Sequence, residues 1–349
     1  MSEATISPAS PWRSPSSDPN DETFGDVVES VSLDDVDGID VTGASADRVD
    51  ADGFDALILG EPYDGAVIGR RGAREGPAAI REALAGIKTH HLEAGSVGSI
   101  GDLGDLAWPT DRVSLDDRAD VAAVQSLAES VTAAVHDLDA IPVFLGGDNS
   151  LTVPNVSPLL ETGSVGVLNF DAHLDVREPT DGPTSGTPYR QLLEDGLDAY
   201  AVVGGRHFET SRSYVAWLEE RGGIVVTPAE VADRAKATLE RLWRRFSGVE
   251  HLYVSVDVDV LDAATAPGVS APTPGGLTAR ELFGLVRTAC GDPRLAGVEV
   301  VECAPGLETG DRTARVAART VAHALAGYGA GAATRGGGSG SRHGGGRRV

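Results

Sequence analysis

Short apolar runs alternate with longer mixed stretches from about residue 56 to residue 325. Residues 56–59, 141–145, 165–170, 201–203, 224–226, 252–260 and 298–301 are rich in Val, Ile, Leu and Ala. Several are almost continuous apolar segments, as expected of strands covered on both faces. Between them, residues 78–84, 118–136, 213–221, 228–246, 278–289 and 313–325 read as helices. The alternation predicts an α/β protein, a three-layer α/β/α arrangement around a mainly parallel sheet. No repeat of fixed period interrupts it.

The two ends differ from this middle. Residues 1–50 are polar and acidic, with prolines early, and read as a flexible N-terminal arm. Residues 51–327 form the expected main domain. Residues 328–349 are dominated by Gly, Ser and Arg and read as a flexible tail. A chain of 349 residues is long enough to bury a large core.

Charge narrows the partners. There are 53 acidic and 29 basic residues, a formal charge of −24. Phosphates would be repelled, which argues against nucleic acid as a partner. Only Lys88 and Lys236 are lysines, the other basic residues being arginine. A GC-rich genome accounts for the scarcity of lysine but not for the excess acid. Adaptation to high salt accounts for the acid, because salt screens the self-repulsion of a carboxylate-rich surface. Cys290 and Cys303 form neither a CxxC pair nor a disulfide framework. No apolar run is long enough to cross a membrane, and the first residues lack the basic start and apolar stretch of a signal peptide. The expected location is the cytoplasm.

Two segments carry the chemistry. Asn169-Phe170-Asp171-Ala172-His173-Leu174-Asp175 and Ser255-Val256-Asp257-Val258-Asp259-Val260-Leu261-Asp262 each follow a run of strand type. Side chains alternate faces along a strand, so extended backbone would bring Asp171, His173 and Asp175 together, and likewise Asp257 and Asp259. A single buried Asp–His pair needs no ion, since the two can satisfy each other. Four aspartates with one histidine do need one, because burying that many like charges without a cation is prohibitive. The oxygen-rich donor set favours a hard or borderline divalent ion such as Mn²⁺.

On these residues the chain resembles the ureohydrolase family, which includes arginase, agmatinase, guanidinobutyrase and formiminoglutamase. Four blocks occur in the family's order: Gly146-Gly147-Asp148-Asn149-Ser150, Asp171 to Asp175, Ser255 to Asp262 with Ala266-Pro267-Gly268 after it, and a late strand ending in Glu302. Arg71-Gly72-Ala73-Arg74-Glu75-Gly76-Pro77 with Ile80-Arg81 is similar to the family's first loop and helix. The resemblance implies an arginase-like fold and two Mn²⁺ per subunit, bridged by Asp171 and Asp257. Asp175 would complete one shell, and His173 with Asp259 the other. Asn149 stands where the family has a histidine ligand: either its amide oxygen ligates, more weakly than imidazole, or water fills the position and that ion is held loosely. The implied reaction is attack by water, acidified between two cations, on the carbon of a C=N group. Asp259 is then the catalytic proton carrier, and Glu302 pairs with the cationic substrate group. Ser185 replaces a histidine thought to shuttle protons, which leaves water or His207 for that task. Family members are homo-oligomers, usually trimers or hexamers.

The loop Ser185-Gly186-Thr187-Pro188-Tyr189-Arg190 and the stretch Gly204-Gly205-Arg206-His207-Phe208 look most like formiminoglutamase-type members. That implies hydrolysis of N-formimino-L-glutamate to L-glutamate and formamide, in histidine degradation. Ser185, Thr187, Arg190 and Arg206 are the expected substrate-binding residues, because planar carboxylates suit arginine forks. Arg70 and Arg71 lie in a third loop that would rim the site. Agmatinase activity is the alternative, although agmatine is a dication and calls for carboxylates in the pocket. A metal-poor paralogue that has lost turnover and acts as a binding or assembly subunit is the alternative from another class. Asn149 and Ser185 are the features that support it.

Overall fold

A computed structural model describes residues 4–32, 40–41, 49–50 and 53–336. Eight strands build the parallel heart of the sheet: β1 Ala56–Glu61, β2 Ile100–Ala107, β3 Ile141–Gly146, β4 Val165–Phe170, β5 Ala199–Val203, β6 Ile224–Val226, β7 His251–Asp257 and β8 Leu295–Val301. Their order across the sheet is β6-β5-β4-β7-β8-β3-β1-β2. After β3 the chain skips two places to lay down β4, runs outward through β5 and β6, then returns with β7 and β8 to fill the gap. The C-terminal ends of β3, β8, β7 and β4 therefore stand side by side. In open α/β sheets that edge, at a reversal of strand order, is where ligands bind.

The strands are apolar on both faces because helices cover both. In β1, Ala56 and Ile58 join one core cluster while Leu57 and Leu59 join the other. The first cluster takes residues of α1 (Gly76–Ala85), α6 (Pro228–Arg245), α7 (Ala279–Cys290) and α8 (Arg312–Gly336). The second takes residues of α2 (Val121–His136), α3 (Thr152–Leu160), α4 (Pro188–Glu194) and α5 (Arg212–Glu220). The three-layer α/β/α expectation is met.

Three expectations need correction. Residues 252–260 are not one strand: β7 stops at Asp257, and Val258–Val260 form a 3₁₀ turn. The acidic arm is not loose where it is described. Thr5–Ser7 pairs antiparallel with β2, Val28–Ser32 pairs with the start of β2, and Ala4, Ile6 and Phe24 are buried. An unpaired edge strand is a liability, and the arm covers this one. The tail begins later than expected, since α8 continues to Gly336. The remaining parts of the arm and residues 337–349 lie outside the described residues. No helix among the described residues is long and apolar enough to cross a membrane.

Candidate active site

Each block of the site sits at the end of a strand or just beyond it. β4 ends at Phe170, so Asp171 to Asp175 lie in the loop after it rather than on extended backbone. The loop curls tightly: the Asp171 carboxylate accepts the His173 N–H at 2.7 Å, and Asp175 has a positive φ of 46°. After β7 the Asp257 carboxylate accepts the Asp259 N–H at 2.8 Å, which closes the 3₁₀ turn. The ligand-type side chains meet as expected, but two tight turns bring them together, not strand alternation. Beyond β3, Gly147 lies so close to Tyr63 that a Cβ would fall 1.8 Å from the Tyr63 carbonyl oxygen. Asp148 then caps the next turn through the N–H of Ser150.

The result is a compact acidic cluster. Asp171, His173 and Asp259 bring ligand atoms within 4.8 Å of one another, and so do Asp171, Asp175 and Asp257. The two trios share Asp171, the arrangement two adjacent cations require. His173 Nδ1 lies 3.1 Å from Asp259 and 3.5 Å from Asp171, and its Nε2 faces Glu209 at 3.8 Å. Asn149, almost fully buried, reaches Asp175 Oδ2 at 2.6 Å through Nδ2. Its backbone N–H donates to Glu302 Oε1 at 3.1 Å, while among the described residues the buried Glu302 Oε2 has no partner. All six side chains that the resemblance assigns to metal are thus gathered at one place, with Glu302 beside them.

The electrostatics show how poorly this cluster tolerates its own charge. Burial, then the neighbouring acids, push Asp257 and Asp175 well above the usual carboxylate range, and Asp171 is raised for the same reasons. Burial followed by Asp148 does the same to Glu302. Burial also works against charge on His173 and Asp259, but their mutual attraction outweighs it, raising the histidine and lowering the aspartate. Divalent cations would offset the repulsion among these buried carboxylates. A donor set of carboxylate oxygens, one imidazole and one amide suits Mn²⁺.

The expected substrate residues fare differently. Arg190 donates to Glu194 at 2.8 Å and stacks over Trp217, so its charge is already used. Thr187 is buried and bonds to Thr184 in its own loop and to Gln191 in α4. Arg206 Nη2 donates to the carbonyls of Asp259 and Leu261, both at 2.6 Å, and so pegs the 3₁₀ turn behind Asp259. Ser185 Oγ accepts the Ile68 N–H at 3.4 Å, and His207 is exposed. Arg70 and Arg71 are spent on Val269, Ser270, Gly65 and Asp116. None of these residues lines the 110 Å³ cavity that opens beside His173 and Asp175. Its walls carry Arg177, Glu209, Ser211 and Tyr214 instead.

Arg177 escaped the sequence analysis, although it lies only two residues past Asp175. Its stem passes over Gly186, where a Cβ would fall 2.8 Å from Arg177 Cδ. Among the described residues its guanidinium has no hydrogen-bond or ion-pair partner. The one available signal was Gly186, a residue without a side chain in the loop opposite.

A parallel α/β sheet with a cation-demanding acid cluster at the C-terminal ends of four adjacent strands is the architecture of a metal-dependent hydrolase. The Arginase family model matches residues 54–327, and the chain belongs to that family. It is 53% identical over 323 residues to the formimidoylglutamase of Halobacterium salinarum, covering 91% of this chain and 98% of that one. Among solved structures it resembles formimidoylglutamase from Bacillus subtilis, with a TM-score of 0.77 and 28% identity over 90% of this chain and 94% of that one. Formiminoglutamase of Trypanosoma cruzi with Mn²⁺ gives a TM-score of 0.70 and 31% identity over 79% of this chain and 93% of that one.

Proposed function

We propose that this protein is a binuclear manganese formimidoylglutamase, hydrolysing N-formimidoyl-L-glutamate to L-glutamate and formamide. The observation that carries the chemistry is the pair of trios sharing Asp171. The likeness to the Halobacterium enzyme over nearly its whole length supports the substrate. Asp171, His173, Asp175, Asp257 and Asp259, with Asn149 as the weakest donor, would hold the two ions, Asp171 being common to both trios. Two manganese ions, when bound, supply the positive charge that makes water a competent nucleophile at neutral pH.

The chain's own groups do the rest. Asp259, held by the Ala172 N–H at 3.3 Å and by the Arg206 peg behind it, is placed to carry a proton to the leaving nitrogen. Glu302, fixed through Oε1 and open at Oε2, pairs with the cationic formimidoyl group. A C–O bond forms, the C–N bond to the glutamate nitrogen breaks, and that nitrogen leaves as an amine. Arg177 meets a carboxylate of the substrate at the cavity wall. A cation there opposes agmatine, which carries only positive charge. The −24 charge fits work in high salt, as does the Halobacterium relative.

Purified protein with Mn²⁺ in concentrated salt, assayed against formimidoylglutamate, agmatine and arginine, tests this reading. Formamide from the first substrate alone is the expected result. Urea from agmatine would move the protein to agmatinase, and no turnover of any substrate would leave the binding-subunit alternative.

A further inference from the structure

Asn149 is the weakest of the proposed ligands, and its amide is held by a chain of buried hydrogen bonds. Asn149 Oδ1 lies 2.7 Å from Thr152 Oγ1, and the same hydroxyl lies 2.6 Å from Glu299 Oε1. Asn149, Thr152 and Glu299 are all buried. A hydroxyl has one proton to give, so Thr152 cannot donate to an amide oxygen and a carboxylate oxygen together.

The far side of Glu299 decides which acceptor wins. Glu299 Oε2 accepts from Asn155 Nδ2 and from the Tyr253 hydroxyl, each at 3.0 Å. The second proton of Asn155 Nδ2 goes to Glu61 Oε2, also at 3.0 Å. Glu299 is thus surrounded by donors and takes the Thr152 proton at Oε1. Thr152 Oγ1 is then an acceptor toward Asn149, and only Nδ2 of that amide can serve it. Turning the amide by half a rotation brings Nδ2 to Thr152 and Oδ1 to the side of Asp175, where a cation needs an oxygen.

We propose that Glu299, acting through Thr152, orients the Asn149 amide so that Oδ1 is presented to the metal. Glu299 and Thr152 are positioning residues, and the relay has a polarity: amide N–H to hydroxyl, hydroxyl to carboxylate. Hydrogen bonds around outer partners commonly fix ligand orientation at metal sites. This inference rests on the two-ion reading above.

Substituting Glu299→Gln reverses the relay. The oxygen of the new amide stays where Asn155 and Tyr253 both donate, so its NH₂ faces Thr152. The hydroxyl then donates to Asn149 Oδ1, and Nδ2 is turned toward the ion. Metal-free protein is titrated with Mn²⁺, with free ion followed by electron paramagnetic resonance. Wild type is expected to take two ions. Glu299→Gln is expected to hold one at wild-type affinity and the other about 10-fold or more weaker, the scale of outer-partner effects at metal sites. Thr152→Val, which keeps the volume and removes the relay, should weaken the same ion, and Thr152→Ser should not. In an Asn149→Asp background both corners of the side chain are oxygens, so Glu299→Gln should cost nothing. The proposal is overturned if Glu299→Gln weakens neither ion or both alike, or if Asn149→Asp fails to remove the effect. Two ions in wild type with an indifferent Glu299→Gln would sink the relay and leave the metal reading standing. No ion in wild type would sink both.

Discussion

Among the described residues, three non-glycine positions have positive φ: Asp175, Phe208 and Glu302. Each lies shortly after a strand that faces the site, and two carry the proposed chemistry. Backbone of this kind is strained and persists only where the surroundings over-determine it. At Glu302 the backbone N–H is tied to the Gly147 carbonyl at 2.8 Å, and at Asp175 the carbonyl accepts the Tyr189 N–H at 3.2 Å. Three outcomes are expected at this scale. Asp257→Asn should reduce kcat by more than about 100-fold, beyond the cost of outer-partner changes at metal sites, and should lower bound manganese; an unchanged rate would contradict a bridging role. Asn149→His supplies a better donor than an amide and should tighten manganese binding by about 10-fold. Equal affinity in a manganese titration would mean that residue 149 does not face the ions. Arg177→Gln would remove the proposed charged hydrogen bond to the substrate and should raise KM by about 10- to 100-fold, with kcat and metal content little changed. A steady-state comparison decides it, and a fall in kcat at constant KM would reject recognition at Arg177.

At the scale of elements, the apolar periodicity located seven of the eight central strands. It missed β2, whose sequence Ile100-Gly101-Asp102-Leu103-Gly104-Asp105 carries residues that strands usually lack. Tertiary pairing rescues it: the buried Arg81 of α1 bridges Asp102 at 2.8 Å and Asp105 at 2.5 Å, and β1 and the N-terminal segment flank it. Helix α3 was missed because Pro154 and Pro158 argue against a helix in isolation. The N-terminal segment looked loose because its apolar residues are sparse, yet those few are inserted. Phe24, 1% exposed against α1 and the sheet, is the anchor. Phe24→Ala should lower stability by about 3–5 kcal/mol in denaturant unfolding without altering turnover below the transition. A loss under about 1 kcal/mol would mean that the segment is only weakly attached.

For the whole molecule, charge and its placement govern behaviour with pH. Asp148 is pushed by burial up to about 6, and burial raises Glu61, Asp175, Asp257 and Glu302 well above the usual range. A carboxyl group whose folded pKa lies above its unfolded one adds stability that is complete below the unfolded value. That contribution is lost as pH rises through the folded value. Metal-free protein should therefore melt at higher temperature as pH falls from neutral toward the ordinary carboxylate range. Saturating Mn²⁺ should flatten or reverse that slope, because the ions replace the protons. Only at lower pH should Asp116, held down by its hydrogen bond to Arg74, and Asp26, held down by the Thr23 N–H, begin to cost stability when protonated. Calorimetry with and without manganese separates the two regimes, and parallel slopes would mean that no ion occupies the cluster.

The sequence by itself determined the layer order, the parallel sheet and the identity of the acid cluster. Apolar periodicity and the demand that buried like charges find a cation are both local and chemical. It did not determine how the cluster is assembled. Asp171, His173 and Asp175 converge through a curled loop, and Asp257 with Asp259 through a 3₁₀ turn. The four blocks meet only because β7 and β8 return to lie between β3 and β4. Nor did it distinguish the arginines. Arg190 and Arg206 sit in the expected loops but are bound to Glu194, Trp217 and backbone carbonyls, while Arg177 faces the cavity. Which guanidinium is left free depends on what lies across from it, and that is set by contacts between residues far apart in the chain.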